Sequence, residues 1–205
     1  MNVALGTALT VEAYLARARS LAGEQRRTEL INGQIVEMSP EKVEHNEVKA
    51  NVYLALRAAI RSAELPFHAV ADGMTVRIDD YTAYEPDAAV YSGDRLPRGA
   101  MIIPEPVIVV EVLSPSSEHS DRSAKLIGYF KLPSVLHYSI IDPLAQTVEH
   151  HARVGDAISR AKPATGRIAL DPTGIEFDIA SLFEELTPHE TDARPHHIRT
   201  GTAAP

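Results

Sequence analysis

Two carboxylates stand out by where they fall in the chain. Glu111 interrupts the apolar run PVIVVEVL at 106–113. A carboxylate inside a buried strand needs a cation, a hydrogen-bond donor or a metal to offset the loss of water. For a lone glutamate the simpler alternative is a place at the strand end, pointing into solvent. Asp87, in Glu85-Pro86-Asp87, precedes a second short apolar run, AAVYS. Taken alone it reads as a turn residue after proline. Two carboxylates at the ends of neighbouring strands can, however, converge on one divalent cation. Hard oxygen ligands with retained waters suit Mg²⁺ or Mn²⁺.

The segment beyond Glu111 carries further candidates. Serines 114, 116, 117 and 120 crowd a loop, and DRSAKLIGYFKL follows with Arg122, Lys125 and Tyr129 on overlapping faces of a helix. A cationic or phenolic group from that helix could lean over the carboxylates. The plainer alternative makes Glu118–Arg122 and Asp121–Lys125 solvated (i, i+4) pairs, worth a few tenths of a kcal/mol, and Tyr129 a core residue. His45, near the start of a long helical segment, is either a phosphate or water contact or a polar surface group. Lys49 and Arg57 on the same segment read as a solvated face, with a phosphate contact as the alternative. The pairs His150-His151 and His196-His197 are set aside as metal sites. Adjacent strand residues point to opposite faces, and the second pair lies in a polar terminal stretch.

These residues need elements to hold them. Thr10 is placed to cap a helix over VEAYLARARSLA, with Gly23 as its stop. ELINGQIVEM reads as a β-hairpin around Asn32-Gly33, the pair favoured in tight turns with positive φ. Apolar residues at 48, 52, 55, 59 and 60 predict a helix from about 41 to 64. FHAVA and MTVRI are predicted strands with Asp72-Gly73 turning between them. PVIVVEVL is a central strand covered on both sides. The order PVIVVEVL, helix, VLHYSIID is a strand–helix–strand crossover that favours parallel pairing. TVEHHARV is predicted to pair with VLHYSIID, and IALDPTGIEFDIASLFEEL to add a strand or two and a short helix. The fold class is therefore α/β, with residues 1–186 as one domain and 187–205 as a flexible, polar, proline-containing tail.

Composition narrows the function classes. The chain has 205 residues, enough to bury a substantial core without staples. It has no cysteine, which removes disulfides, thiolate metal sites and cysteine nucleophiles and fits a cytoplasmic protein. No apolar run approaches a membrane span or a secretory core. The net charge of −8 argues against a generic DNA coater but not against an enzyme whose basic groups are confined to one cleft. Aromatic residues make up 5% and tryptophan is absent, so the stacking platforms of a carboxylate-pair glycosidase are missing.

The ordered set EPDAAVYSGDR, PVIVVEVLSPSSEHSDRSAKLIGYFKL and HYSIIDP, with ELINGQIVEMSP and His45 upstream and GIEFDIASLF downstream, resembles the Uma-type family of "putative restriction endonucleases". That family belongs to the PD-(D/E)XK nuclease superfamily, and the resemblance covers most of residues 10–185. It implies a restriction-endonuclease-like core: a mixed central β-sheet flanked by helices, with an N-terminal helix and β-hairpin. It also implies an endonuclease hydrolysing phosphodiester bonds, with DNA as partner and Mg²⁺ or Mn²⁺ as cofactor. Asp87 matches the aspartate of the first motif element and Glu111 the acid of the second. The main-chain carbonyl of Val112 would be the third metal ligand. The superfamily lysine two residues after that acid is replaced by Leu113, and Lys125 occupies the place of a lysine that has migrated to the next helix. Glu29 matches a family glutamate that can reach the metal, with an exposed strand residue as the equal alternative. His45, Arg122 and Tyr129 are candidate substrate contacts.

Two rival readings follow. The Leu113 departure suits an accessory DNA-binding protein that keeps the fold but has lost turnover. The acidic charge suits an interaction module without a nucleic-acid role. A homodimer formed through the N-terminal segment is compatible with any of these readings.

Overall fold

The computed structural model describes residues 8–20, 27–114, 121–162 and 165–185. Helix α1 (Val11–Ser20) buries Val11, Tyr14 and Leu15. The Thr10 hydroxyl accepts the Ala13 amide at 3.3 Å, the capping bond its sequence predicts. Gly23, Ser117, Ser120, Glu118 and the expected 187–205 tail lie outside the described residues.

The hairpin is β1 (Thr28–Ile31) and β2 (Gln34–Glu37). Asn32 and Gly33 both take positive φ between them, at 51° and 75°. Helix α2 (Val43–Ser62) follows, then β3 (Phe67–Ala71), β4 (Val76–Arg77), β5 (Ala83–Tyr84), β6 (Ala88–Ser92) and β7 (Pro106–Val112). A π-helical turn (Asp121–Lys125) runs into the short helix α3 (Leu126–Phe130). The chain continues through β8 (His137–Asp142), β9 (Thr147–Val154), β10 (Ala157–Ala161), β11 (Arg167–Leu170) and β12 (Ile175–Asp178) to a 3₁₀ turn (Ala180–Phe183).

Six strands form the central sheet in the order β10-β9-β8-β7-β6-β3. Only β7 and β8 are parallel, as their strand–helix–strand connection predicts, so the sheet is mixed. All seven residues of β7 are buried. Its alternation sends Ile108, Val110 and Val112 into one core with α2, Ile168 and Leu182. Val109 and Leu113 enter a second core with Tyr129, Phe130, Tyr138 and Tyr84. Glu111 shares the parity of Val109 and Leu113, so its carboxylate projects toward the second core.

The four-stranded sheet β2-β1-β5-β4 stands beside this one. Here the structure departs from expectation. FHAVA and MTVRI do not pair: β3 joins β6 at the edge of the large sheet, while β4 pairs β5 in the small one. The turn at Asp72-Gly73 passes the chain from one sheet to the other. Neither β5 nor the wholly exposed β10 had an apolar pattern to announce it. No described helix is long and apolar enough to cross a membrane.

Candidate active site

Three segments of the large sheet and its helices meet at the C-terminal end of β7. Asp87 immediately precedes β6 and is 5% exposed. One carboxylate oxygen accepts the Val112 amide at 2.6 Å, and the other lies 2.7 Å from Lys49 Nζ. The carbonyl of the same Val112 accepts from His45 Nε2 at 2.6 Å, since a carbonyl can only accept. Val112 is therefore held through its amide by Asp87 and through its carbonyl by the first turn of α2.

Glu111 is 2% exposed, and solvent does not satisfy it. Its Oε1 accepts from the Tyr129 hydroxyl at 2.8 Å and lies 3.1 Å from Lys125 Nζ. Lys125 also reaches Glu29 Oε1 at 3.0 Å, and that oxygen accepts the Glu85 amide at 3.0 Å. Glu29 sits on β1, which links the hairpin to the site. Tyr129 is fully buried, edge-on to Tyr84 at 5.3 Å and tilted against Tyr138 at 5.2 Å. Burial and the neighbouring Glu111 carboxylate push its hydroxyl well above the usual range, so it stays a donor. Gly128 is what lets this helix come so close: a Cβ there would stand 2.7 Å from the Tyr84 ring.

The sequence-predicted residues Asp87, Glu111, Val112, Lys125, Glu29 and His45 all line one cleft of about 510 Å³. Tyr129 backs it through Glu111. Arg122 does not line it; its guanidinium pairs with Glu149 on β9 at 2.6 Å. Lys49 is a correction. A solvated face was expected, yet it is 5% exposed, because α2 turns that face toward β6 and β7. It pairs with Glu41 at 2.8 Å and with Asp72 as well as with Asp87. Arg27 bridges Glu41 and Asp72 from the far side. Burial alone would depress Lys49, but Asp87 and Asp72 outweigh it and raise its pKa. Burial would likewise raise Glu41, but Lys49 and Arg27 hold it below the usual carboxylate range.

Glu41, Asp72 and Arg27 were missed in the sequence. The spacing 41, 45, 49 is helical and was a usable signal, although Glu41 itself precedes α2. Asp72 offered none, since only the passage between sheets brings it here. Glu85 stands just behind, where burial and the negative charge of Glu29 raise it to about 7.

The donor set fits a divalent cation. Among the described residues, the carboxylates of Glu29, Glu41, Asp72, Asp87 and Glu111 pair with Arg27, Lys49, Lys125 and His45. Carboxylate oxygens of Glu41, Asp72 and Asp87 lie within 4.8 Å of one another. Oxygen donors gathered this closely suit a hard cation.

A protein from Anabaena variabilis, described as a putative nuclease belonging to DUF820, superposes with a TM-score of 0.66 at 19% identity, covering 85% of this chain and 97% of its own. The core is thus the restriction-endonuclease-like fold. Two Synechocystis proteins, sll1609 and slr1290, both described as uncharacterized, are 27% and 29% identical over 158 and 113 residues. These alignments span 76% and 54% of this chain and 87% and 58% of the relatives. The Uma2 family model, described as "Putative restriction endonuclease", matches residues 11–180, from α1 to the final 3₁₀ turn and across every carboxylate of the cleft. The chain belongs to the Uma2 family.

Proposed function

We propose that the protein is a metal-dependent endonuclease that hydrolyses phosphodiester bonds in DNA, using Mg²⁺ or Mn²⁺. The observation that carries this reading is the meeting of Asp87, Glu111, the Val112 carbonyl and Lys125 at one open cleft, with Glu41 and Asp72 close beside Asp87. Asp87, Glu111 and the Val112 carbonyl would hold the cation. A cation held there supplies Lewis-acid polarisation of a phosphate oxygen and a lowered pKa for bound water.

The chain's own groups do the rest. Lys125 Nζ, fixed by Glu29 and Glu111, offers an ammonium to the charge that builds on the phosphate as water attacks phosphorus and the P–O bond breaks. Its origin on the π-helical turn before α3, not two residues after Glu111, is chemically immaterial, because only the position of Nζ matters. Tyr129 fixes the rotamer of Glu111. His45 and Lys49 fix the Val112 carbonyl and Asp87. Glu29 tunes the shell through Lys125.

The test is cleavage of plasmid and linear DNA with Mg²⁺ or Mn²⁺, comparing wild type with Asp87→Asn. The isosteric change keeps the acceptor for Val112. Cleavage falls at least about 1,000-fold, equivalent to about 4 kcal/mol. Equal cleavage by both proteins would sink the site. The second reading, a DNA-binding relative without turnover, is favoured by the buried Leu113 in the usual lysine position. It predicts Mn²⁺ binding by calorimetry with no cleavage by either protein.

A further inference from the structure

A second cleft, of about 470 Å³, opens along the edge strand β3 between the C-terminal half of α2 and the loop after β6. Arg57, Arg61 and Arg95 line it, and no aspartate or glutamate does. Among the described residues, none of these arginines has a carboxylate within salt-bridge range, in a chain of net charge −8. Arg61 alone would be accounted for by the negative end of the α2 dipole. Arg95 comes from a different element and has no such reason to be there.

The rest of the lining is aromatic. Tyr91 forms the floor, 3% exposed, with His68 tilted over it at 5.0 Å. Tyr53 is half-buried on the wall, and Arg57 donates to its hydroxyl at 3.3 Å. Arginines without acidic partners beside partly accessible rings form a site for a phosphate joined to a planar base.

Two elements run from this cleft to the carboxylate site. Lys49 and Arg57 lie eight residues apart on α2, about 12 Å of helix rise. The strand β3 that lines the cleft with Phe67, His68, Ala69 and Val70 ends one residue before Asp72, a partner of Lys49.

We propose that this cleft is a second nucleic-acid subsite that binds an unpaired nucleotide of the substrate strand, its phosphate among Arg57, Arg61 and Arg95 and its base against Tyr53 and His68. The assignment rests on the nuclease reading and names the strand state that the cleft accepts. Substrate held there is anchored through a single-stranded stretch beside the point of cleavage.

The test is fluorescence anisotropy of the full chain in EDTA with a labelled oligothymidylate of about 12 nucleotides and a duplex of the same length. Wild type binds the single strand more tightly than the duplex. Arg57→Gln with Arg95→Gln, both at exposed positions, weakens binding at least about ten-fold. It also flattens the log–log salt slope by about 1.4, the value for two single-strand phosphate contacts. Tyr53→Ala weakens the single strand about ten-fold and leaves the duplex unchanged. No binding by wild type, or equal binding by the double arginine variant, overturns the subsite. Equal losses for single strand and duplex in Tyr53→Ala overturn the unpaired base. Asp87→Asn separates the two readings: it still binds oligothymidylate while losing cleavage. If wild type binds but never cleaves, the nuclease reading fails and the subsite stands.

Discussion

Two clusters of buried charge sit at different places on the same sheet, and their balances are opposite. Around Glu149 on β9, one carboxylate meets Arg122 at 2.6 Å, Arg160 at 2.8 Å, His151 at 3.0 Å and Lys162 at 3.2 Å. Burial would raise Glu149, but these partners outweigh it and hold it to about 2. Around Asp87 and Glu111, several carboxylates share their cations, and Asp87, Glu111, Glu29 and Glu41 line an open cleft. In the first cluster one carboxylate is ringed by cations. In the second, carboxylates share each cation and stand at a cleft wall. Burial of a carboxylate is thus a poor guide to function. The number of carboxylates that share one cation, and the cleft they border, is a better one.

The sharpest way to break this contrast is Lys125→Met. Cleavage drops about 100- to 1,000-fold, the loss expected when one donor to a developing charge is removed. The apo protein also loses about 3 to 5 kcal/mol, because Glu29 and Glu111 keep their charges without their shared cation. Added Mn²⁺ then raises the melting temperature of the variant more than that of wild type. An equal shift in both proteins would mean that Glu29 and Glu111 take no part in holding the ion.

Tyr129→Phe has a smaller effect. It removes one hydrogen bond to a charged acceptor in a site otherwise unchanged in shape. About 2 kcal/mol of stability is lost, read by urea denaturation, with only a few-fold loss of cleavage. A loss as large as that for Lys125→Met would make the phenol a participant in the chemistry.

Glu149→Gln gives the smallest effect. Arg160 and Lys162 are more than half exposed, so solvent screens much of their attraction. Stability at pH 7 falls by about 1 kcal/mol and cleavage is unchanged. The pH dependence carries the signature. A carboxylate held below its unfolded value of 4.5 stabilises the fold above that pH, and the contribution is lost as pH falls toward about 2. Below pH 4.5 the acid limb of the variant is therefore flatter than that of wild type. His150 adds a separate loss at milder acidity. Burial and the adjacent His137 lower it to about 4, so stability falls as pH drops from 6.5 to that value, and this slope persists in the Glu149 variant.

Much of the site was legible because its residues violate local expectation. Glu111 is a charge in a strand that otherwise reads as pure core. The order of Asp87, Glu111 and Lys125 along the chain survives any rearrangement of loops. The hairpin at Asn32-Gly33, helix α2, strand β7 and the parallel partner β8 were equally plain, because each carries a strong period or turn signal. Strand β5 is two residues long, and β10 is exposed throughout, so neither has a period to read. Arg122 was legible only as a cation near the loop. Its choice of Glu149 over the cleft depends on how β9 lies beside β8.

The amino-acid sequence by itself marked the candidate carboxylates and the strands that would be central. Burial, charge and apolar alternation are local properties, written every second or every third and fourth residue. Only the tertiary structure decided who neutralises whom. Lys49 left its expected solvated face because α2 packs that side against β6 and β7. Asp72 joined the cluster because β3 and β4 part into different sheets, and Glu29 because β1 pairs with β5. Each of those contacts closes a long loop, and no local pattern specifies which distant partner a charge will meet.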